Sequence, residues 1–361
     1  MKVTLAVVAF AGLVSRCSDW PIDPWHGHGH GHQPPPAADD DAGVEDDSCM
    51  QLGLYADPQC KHLARGVVSY RPSYELWADG ADKERFIFLP EGKKIDTSNA
   101  DRWTFPVGTR VYKTFSQNGM KLETRVFRKI AEPAGIESWS YEAFAWREDQ
   151  RSVDLVGEQG QSDVLGTDHD IPKKEDCARC HTRPGADILN GFEAIQLNHA
   201  GRGWTLQRLI EQGRLVNGTS GAALNVSVDN AVVPGKPVDQ AALGYLHANC
   251  GNCHGGATPP PKAQPLNLSV EVGASEASAA KVAAACTVLK RWTGHDPYLF
   301  VIDPGSAATS GMIGRMSARA AMGFSPDQMP PTCSEKPDLI GIGQVSAWID
   351  QLTTQCVPPT P

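Results

Sequence analysis

The sequence predicts an α+β chain of more than one domain, an antiparallel β domain followed by mainly α-helical segments. Three observations carry this expectation. From about Leu63 to Gly166 the pattern has period two, and Asn118-Gly119, a strong hairpin signal, separates two runs of strand-forming residues. Beyond Gly166, apolar residues recur at helical spacing, as in Ala242, Leu243, Leu246 and Cys250. Finally, the pentapeptide Cys177-Ala-Arg-Cys180-His181 recurs with other filler as Cys250-Gly-Asn-Cys253-His254, dividing the second part into two units.

The elements follow in order. Residues 1–17 read as a secretory signal: Met1-Lys2 supplies the charge and Val3 to Val14 an apolar centre too short for an ordinary transmembrane helix. Cys17 stands where a lipoprotein signal is lipidated, although Arg16 takes the place of the usual small residue. Residues 18–48 form a low-complexity linker with alternating glycine and histidine from His26 to His32, Pro34 to Pro36 and the acidic run Asp39 to Asp41. Any metal bound by such a tract is held loosely.

Residues 49–166 are the β domain. Strands are expected at Thr109–Ser116 and Met120–Ile130, and again at Ser138–Arg147 and Ser152–Val156 around Glu148-Asp149-Gln150. One sheet face packs inward and the other is expected to be polar. In the stretch Tyr74 to Phe86, the carboxylates Asp79, Asp82 and Glu84 have the oxygen chemistry of a calcium site without its usual loop spacing; the simpler reading has them solvate a turn or pair with Lys83 and Arg85.

Residues 167–237 hold the first C-x-x-C-H segment, with a short helix from Leu206, capped by Thr205 and ended by Gly213. Residues 238–361 hold the second. There Asp239 is the expected N-cap of a helix over 240–249, Ala277 to Arg291 has helical character, and Ile340 to Leu352 is the closing helix.

The repeated motif is the attachment sequence of haem c. Two thiols three positions apart lie on one side of a helical turn and form thioethers with the two vinyl groups of a porphyrin edge, while the adjacent histidine faces the iron. Cys177, Cys180, Cys250 and Cys253 are therefore the expected anchors, and His181 and His254 the proximal ligands. The rival is a four-cysteine zinc site, but the stretch between the pairs is far longer than a zinc ribbon requires, and zinc leaves both histidines unexplained.

Composition agrees with an exported redox protein. The 361 residues carry a net charge of -9, with a pI near 5.7, which argues against a nucleic-acid partner. Ten cysteines point to an oxidising, periplasmic or cell-envelope location. Apart from Cys17 and the motif cysteines, five remain; Cys49 with Cys60 is the expected local bridge, and Cys333 with Cys286 or Cys356 the next.

Beyond these readings, Tyr74 to Pro90, Trp103-Thr-Phe105-Pro-Val-Gly108-Thr109, Lys113-Thr-Phe115-Ser116 and Leu122-Glu-Thr124-Arg125, followed by the two motifs, resemble a largely uncharacterised family of bacterial di-haem c-type cytochromes. The resemblance runs from about residue 64 to residue 354. It implies a β-rich amino-terminal region ahead of the haem-bearing part.

The second unit has the order of a small class I cytochrome c: helix, motif, loops, methionine, closing helix. Met329, in Gln328-Met-Pro-Pro331, is the expected distal ligand of the second haem because the proline keeps its loop extended; Met316 is the next candidate. No methionine lies between His181 and Met312, so the first haem has histidine candidates, with His199 ahead of His169 and His247. Electron transfer from haem one to haem two and on to a redox partner protein is the expected function. A di-haem peroxidase with an open first haem and an anchored binding module are the alternatives.

Overall fold

The computed structural model describes residues 48–182, 186–187, 189–218, 221–255, 266–275, 287, 298–319, 328–331 and 334–356. The signal and Cys17, the linker as far as residue 47, most of the expected helix from Ala277 to Arg291, Met322, Cys286 and Cys333 lie outside them. The strands are β1 (Val67–Tyr70), β2 (Asp82–Phe88), β3 (Ile95–Asp96), β4 (Arg110–Gln117), β5 (Met120–Lys129), β6 (Trp139–Trp146), β7 (Val153–Leu155) and β8 (Leu215–Val216). Six of them form one antiparallel sheet in the order β1-β2-β4-β5-β6-β7, while β3 pairs in parallel with β8.

The expected hairpins are present. Asn118 and Gly119 take φ values of 52° and 79°, the left-handed pair that lets a two-residue turn follow the twist of β4 and β5. At the second turn the Asp149 carboxylate accepts from the Arg151 and Ser152 amides and from the Ser152 hydroxyl, fixing the crossing from β6 to β7.

Residues opposite one another across a ladder share a face. One face carries Lys129 and Trp139, then Val111, Phe127 and Tyr141, then Arg85, Lys113 and Arg125, and last Phe115 and Glu123. It meets the helices in a core that joins Ile87, Trp103, Phe105 and Val111 to Leu206, Leu243, Leu246, Val345 and Trp348. The other face differs from the expected polar one. Phe86, Tyr112, Val126, Phe144 and Trp146 are covered by Leu52, Leu54 and Tyr55 from the segment that precedes β1. The predicted Cys49–Cys60 disulfide clasps that segment. Cys356 is also disulfide-bonded.

Alternation within β2 separates the charges that adjacency in sequence seemed to pair. Successive side chains of a strand point to opposite faces, so Lys83 and Arg85 share the helix-facing side and Asp82 and Glu84 the other. Lys83 bonds the Leu76 carbonyl and lies 3.8 Å from Glu75. Asp79 serves a different purpose: its carboxylate accepts from Trp77 Nε1 (3.0 Å), the Ser334 hydroxyl (2.8 Å) and the Glu335 amide (2.7 Å).

The helices are α1 (Lys174–His181), α2 (Ala194–Leu197), α3 (Leu206–Glu211), α4 (Pro237–Asn249), α5 (Gly311–Ser317) and α6 (Leu339–Ile349). Thr205 caps α3 as expected, its side chain accepting from the Arg208 amide. Asp239 is not the N-cap of α4. Pro237 starts the helix, where its missing N–H costs nothing, and Asp239 one turn in accepts the Lys236 amide at 2.8 Å. The helix α6 is capped by Asp338, which accepts from the Ile340 and Gly341 amides. It packs on α4, where Gly341 leaves room for Tyr245: a Cβ there would stand 2.1 Å from the ring.

One buried carboxylate fastens the helical part to the sheet. Asp187 and Lys129 are fully buried and 2.7 Å apart. Asp187 also accepts from the Phe105 amide (2.9 Å), the Gly135 amide (3.0 Å) and Trp139 Nε1 (2.8 Å). Replacing Asp187 by alanine leaves a buried ammonium uncompensated and is expected to cost about 3–5 kcal/mol. Urea titration of the variant against the parent checks this; a loss within about 0.5 kcal/mol would show that the pair is inessential.

A second charged group on this face sets a pH dependence. Glu123, fully buried, accepts from Arg125 Nε (2.5 Å) and Nη2 (3.0 Å) and pairs with His169 Nε2 (3.0 Å). Burial pushes its carboxyl upward, but Arg125 and His169 together more than offset this and hold it below the ordinary 4.5. Its stabilisation is therefore complete above 4.5 and is lost as pH falls through the lower folded value. Denaturation from neutral to acid pH is expected to show this loss in the parent and a flatter profile in Glu123→Gln.

Candidate haem-attachment sites

The first motif closes the helix α1. Glu175 and Asp176 lie in its first turn, where negative charge favours the helix dipole, and the i, i+3 spacing sets Cys177 and Cys180 on one side. That helix lies over the helix-facing side of β5 and β6. The His181 ring meets Phe127 edge-on, 4.7 Å between centroids. Burial, with Cys177 nearby as the next cause, raises the Tyr141 hydroxyl above its ordinary value. Phe127, Ile136, Trp139, His181 and Leu189 line a small open cleft.

The second motif leaves the end of α4, with Cys250 as its C-cap. The Cys250 carbonyl accepts from the Cys253 amide (3.1 Å) and the His254 amide (2.8 Å), so a turn rather than a helix spaces the thiols. Its backbone is held from the side: the Ser269 hydroxyl donates to the Gly251 carbonyl at 3.1 Å, and the Leu268 amide donates to the His254 carbonyl. A second cleft reaches this motif at Asn252 and is bordered by Asp101, Asn190 and Glu193.

The two clefts share Leu189. Leu189 thus borders the regions of both motifs, and the Asn190 side chain donates to the Cys180 carbonyl at 3.5 Å. Sequence reading missed the stretch from Ala186 to Glu193. Its signal was an isolated aspartate in an apolar run, readable only once Lys129 is known to face it across 58 residues.

Two acidic groups that sequence reading did not find, Asp101 and Glu193, border the second cleft, and His247, already a distal candidate, pairs with Glu193. His247 Nδ1 accepts from the Val270 amide at 3.0 Å, so Nε2 carries the proton toward Glu193. Burial raises the Asp101 carboxyl against the Val272 amide, and the Glu193 and Glu271 charges raise it further.

The distal candidates are distributed as follows. Met329 is partly exposed, and its amide donates to the Arg315 carbonyl at 2.9 Å. Its strap is anchored because Gln328 donates to the Ser334 carbonyl and Asp79 holds residues 334–336. Met312 and Met316 are buried in the main core, where methionine fills gaps. His199 Nε2 donates to the Arg71 carbonyl at 2.6 Å and the residue lines neither cleft. His169 is engaged by Glu123, and its ring lies 5.2 Å from that of Phe115.

The motif thiols are chemically available in different degrees. Cys177, Cys180, Cys250 and Cys253 are all free of disulfides. Among the described residues no three histidine, cysteine or carboxylate side chains gather as a metal site. Cys180 is exposed, whereas burial and the neighbouring Cys253 push the Cys250 thiol up to about 12. Because the thiolate is the reactive form, iodoacetamide at neutral pH is expected to label Cys180 of haem-free protein roughly tenfold or more faster than Cys250. Peptide mass mapping against time reads the two rates, and equal rates would contradict the assigned environments. Comparison with protein-family models, curated proteins and solved structures finds no match to this chain.

Proposed function

We propose that this chain is a di-haem c-type cytochrome that carries electrons within the cell envelope, from the first attachment site to the second and on to a redox partner protein. The observation that carries the reading is the pair of complete C-x-x-C-H motifs whose four thiols stay unbridged while Cys49 and Cys60 form a disulfide. The donor set fits covalent haem, with two thiols and one imidazole at each site. Cys177, Cys180 and His181 would hold the first group, and Cys250, Cys253 and His254 the second. A haem at each site supplies one-electron exchange between ferric and ferrous iron.

The chain's own residues do the rest. Phe127, Trp139 and Leu189 give the first site apolar walls, which exclude water and favour the less charged state of a bound iron. Leu189, which borders both clefts, lies beside the proposed path between the sites. For the second site Met329 is the proposed sixth ligand, on a strap already held by Asp79; its thioether raises the potential relative to histidine or water. His199 is the proposed ligand at the first site. The second part is accordingly read as two cytochrome c-like segments on a β platform. Residues 1–17 serve as the export signal, and Cys17 as a lipid tether in the lipoprotein form of that signal.

A di-haem peroxidase is the second reading, and one observation favours it: His199 Nε2 is committed to the Arg71 carbonyl. Spectra of the oxidised holoprotein decide between them. Two low-spin irons and slow, non-saturating oxidation by peroxide are expected of a relay, whereas a high-spin first haem with rapid turnover would establish the peroxidase.

A pyridine haemochrome assay is expected to give two haems per chain that survive acid-acetone extraction; one haem, or zinc in their place, would refute the reading. Met329→Ala is expected to keep both haems, remove the weak thioether-to-iron absorption near the red end of the spectrum and lower one potential. If Met316→Ala does this instead, the ligand is Met316.

A further inference from the structure

The helix-facing side of the sheet carries an unusual row of cations. Arg85 on β2 lies opposite Lys113 on β4, which lies opposite Arg125 on β5. Arg125 is neutralised by Glu123, and Lys83, one step along β2, is near Glu75. Among the described residues neither Arg85 nor Lys113 makes an ion pair, and the Lys113 ammonium lies 4.8 Å over the Phe115 ring. Arg85 is only 2% exposed, and its Nε and Nη2 have no hydrogen-bond acceptor. A buried cation without a partner is costly, so Arg85, with the half-buried Lys113 beside it, is unfavourable for the sheet unless something negative joins them.

The position of the row says where that charge comes from. Phe127, which touches the His181 ring, lies two residues beyond Arg125 on the same face of β5. Diagonal neighbours on a sheet face stand about 7–8 Å apart, so Lys113 is within the span of a porphyrin attached at Cys177 and Cys180.

We propose that Arg85 and Lys113 form a receptor for a pair of carboxylates on the sheet face that bears the first attachment motif. The carboxylates are the two propionates of the first haem, in which case the inference rests on the proposed function, or those of a free dicarboxylic acid. Arginine suits this task because its planar fork accepts a carboxylate in bidentate fashion, and Lys113 adds a second point charge. Burial, reinforced by the Arg85, Arg125 and Lys83 charges, pushes the Lys113 ammonium well below its ordinary value, and a bound anion would reverse this. The other charged or titratable groups around the receptor are Tyr70, Arg71, Glu75, Glu123 and His169.

The test uses the holoprotein and its Arg85→Met, Lys113→Met and charge-keeping Arg85→Lys variants, with two readouts. The first is the midpoint potential of each haem against pH, and the second is the melting temperature with and without succinate. For propionates, both methionine variants are expected to lower the potential of the first haem and make it fall with rising pH near neutrality. Arg85→Lys should keep most of the parent behaviour, and succinate should have no effect. For a free acid, succinate is expected to raise the melting temperature of the parent saturably and to bind the methionine variants roughly tenfold or more weakly, with the potentials unmoved. A higher melting temperature in Arg85→Met, with unchanged potentials and no response to succinate, would overturn the receptor and show only a buried, uncompensated cation. If the haemochrome assay finds no haem at Cys177 and Cys180, the cytochrome reading fails separately, and the succinate arm still decides the site.

Discussion

The buried Asp187 carboxylate is the contact on which the relation between sheet and helices depends. Four donors from four places converge on it: the Lys129 ammonium, the Phe105 and Gly135 amides and the Trp139 indole. Lys129 and Trp139 lie opposite each other on β5 and β6, so the carboxylate fixes the end of the sheet as well as the chain that leaves α1. A carboxylate so fully engaged tolerates no sliding, because each donor it loses would be stranded in a low-dielectric interior. Leu189, two residues further on, inherits that fixed position and forms the wall common to both clefts.

What the sequence makes legible here is what is local. Asn118-Gly119 declares its hairpin because two left-handed residues in succession are rarely tolerated elsewhere, and Thr205 and Gly213 mark α3 by the same local logic. The motifs are legible because their chemistry is written in five consecutive residues. Long-range pairing is not written this way. Asp187 meets residues 48 to 82 positions away, and nothing in its neighbours distinguishes it from a surface aspartate. The pairing of Asp82 and Glu84 with Lys83 and Arg85 was an error of parity, since contiguous strand residues face apart. The polar outer face failed similarly: Tyr112, Val126, Phe144 and Trp146 recur with period two, but their cover comes from a segment that is short and irregular.

The two C-x-x-C-H motifs stand on different local structures, although their spacing matches. The first stands on a sheet, with a helix supplying both thiols and an aromatic strand residue against the histidine. The second hangs on a turn at the end of α4, steadied by Ser269 and by the packing of α4 on α6.

The grip of Asp79 on that strap spans 256 residues in its bond to the Glu335 amide. Closing a flexible loop of that length costs roughly 5 kcal/mol of chain entropy, more than a few hydrogen bonds at partly buried groups return. The contact is therefore affordable only after the sheet, α4 and α6 have already gathered and shortened the effective loop. The strap is accordingly expected to close after those elements have met and to open before them on heating.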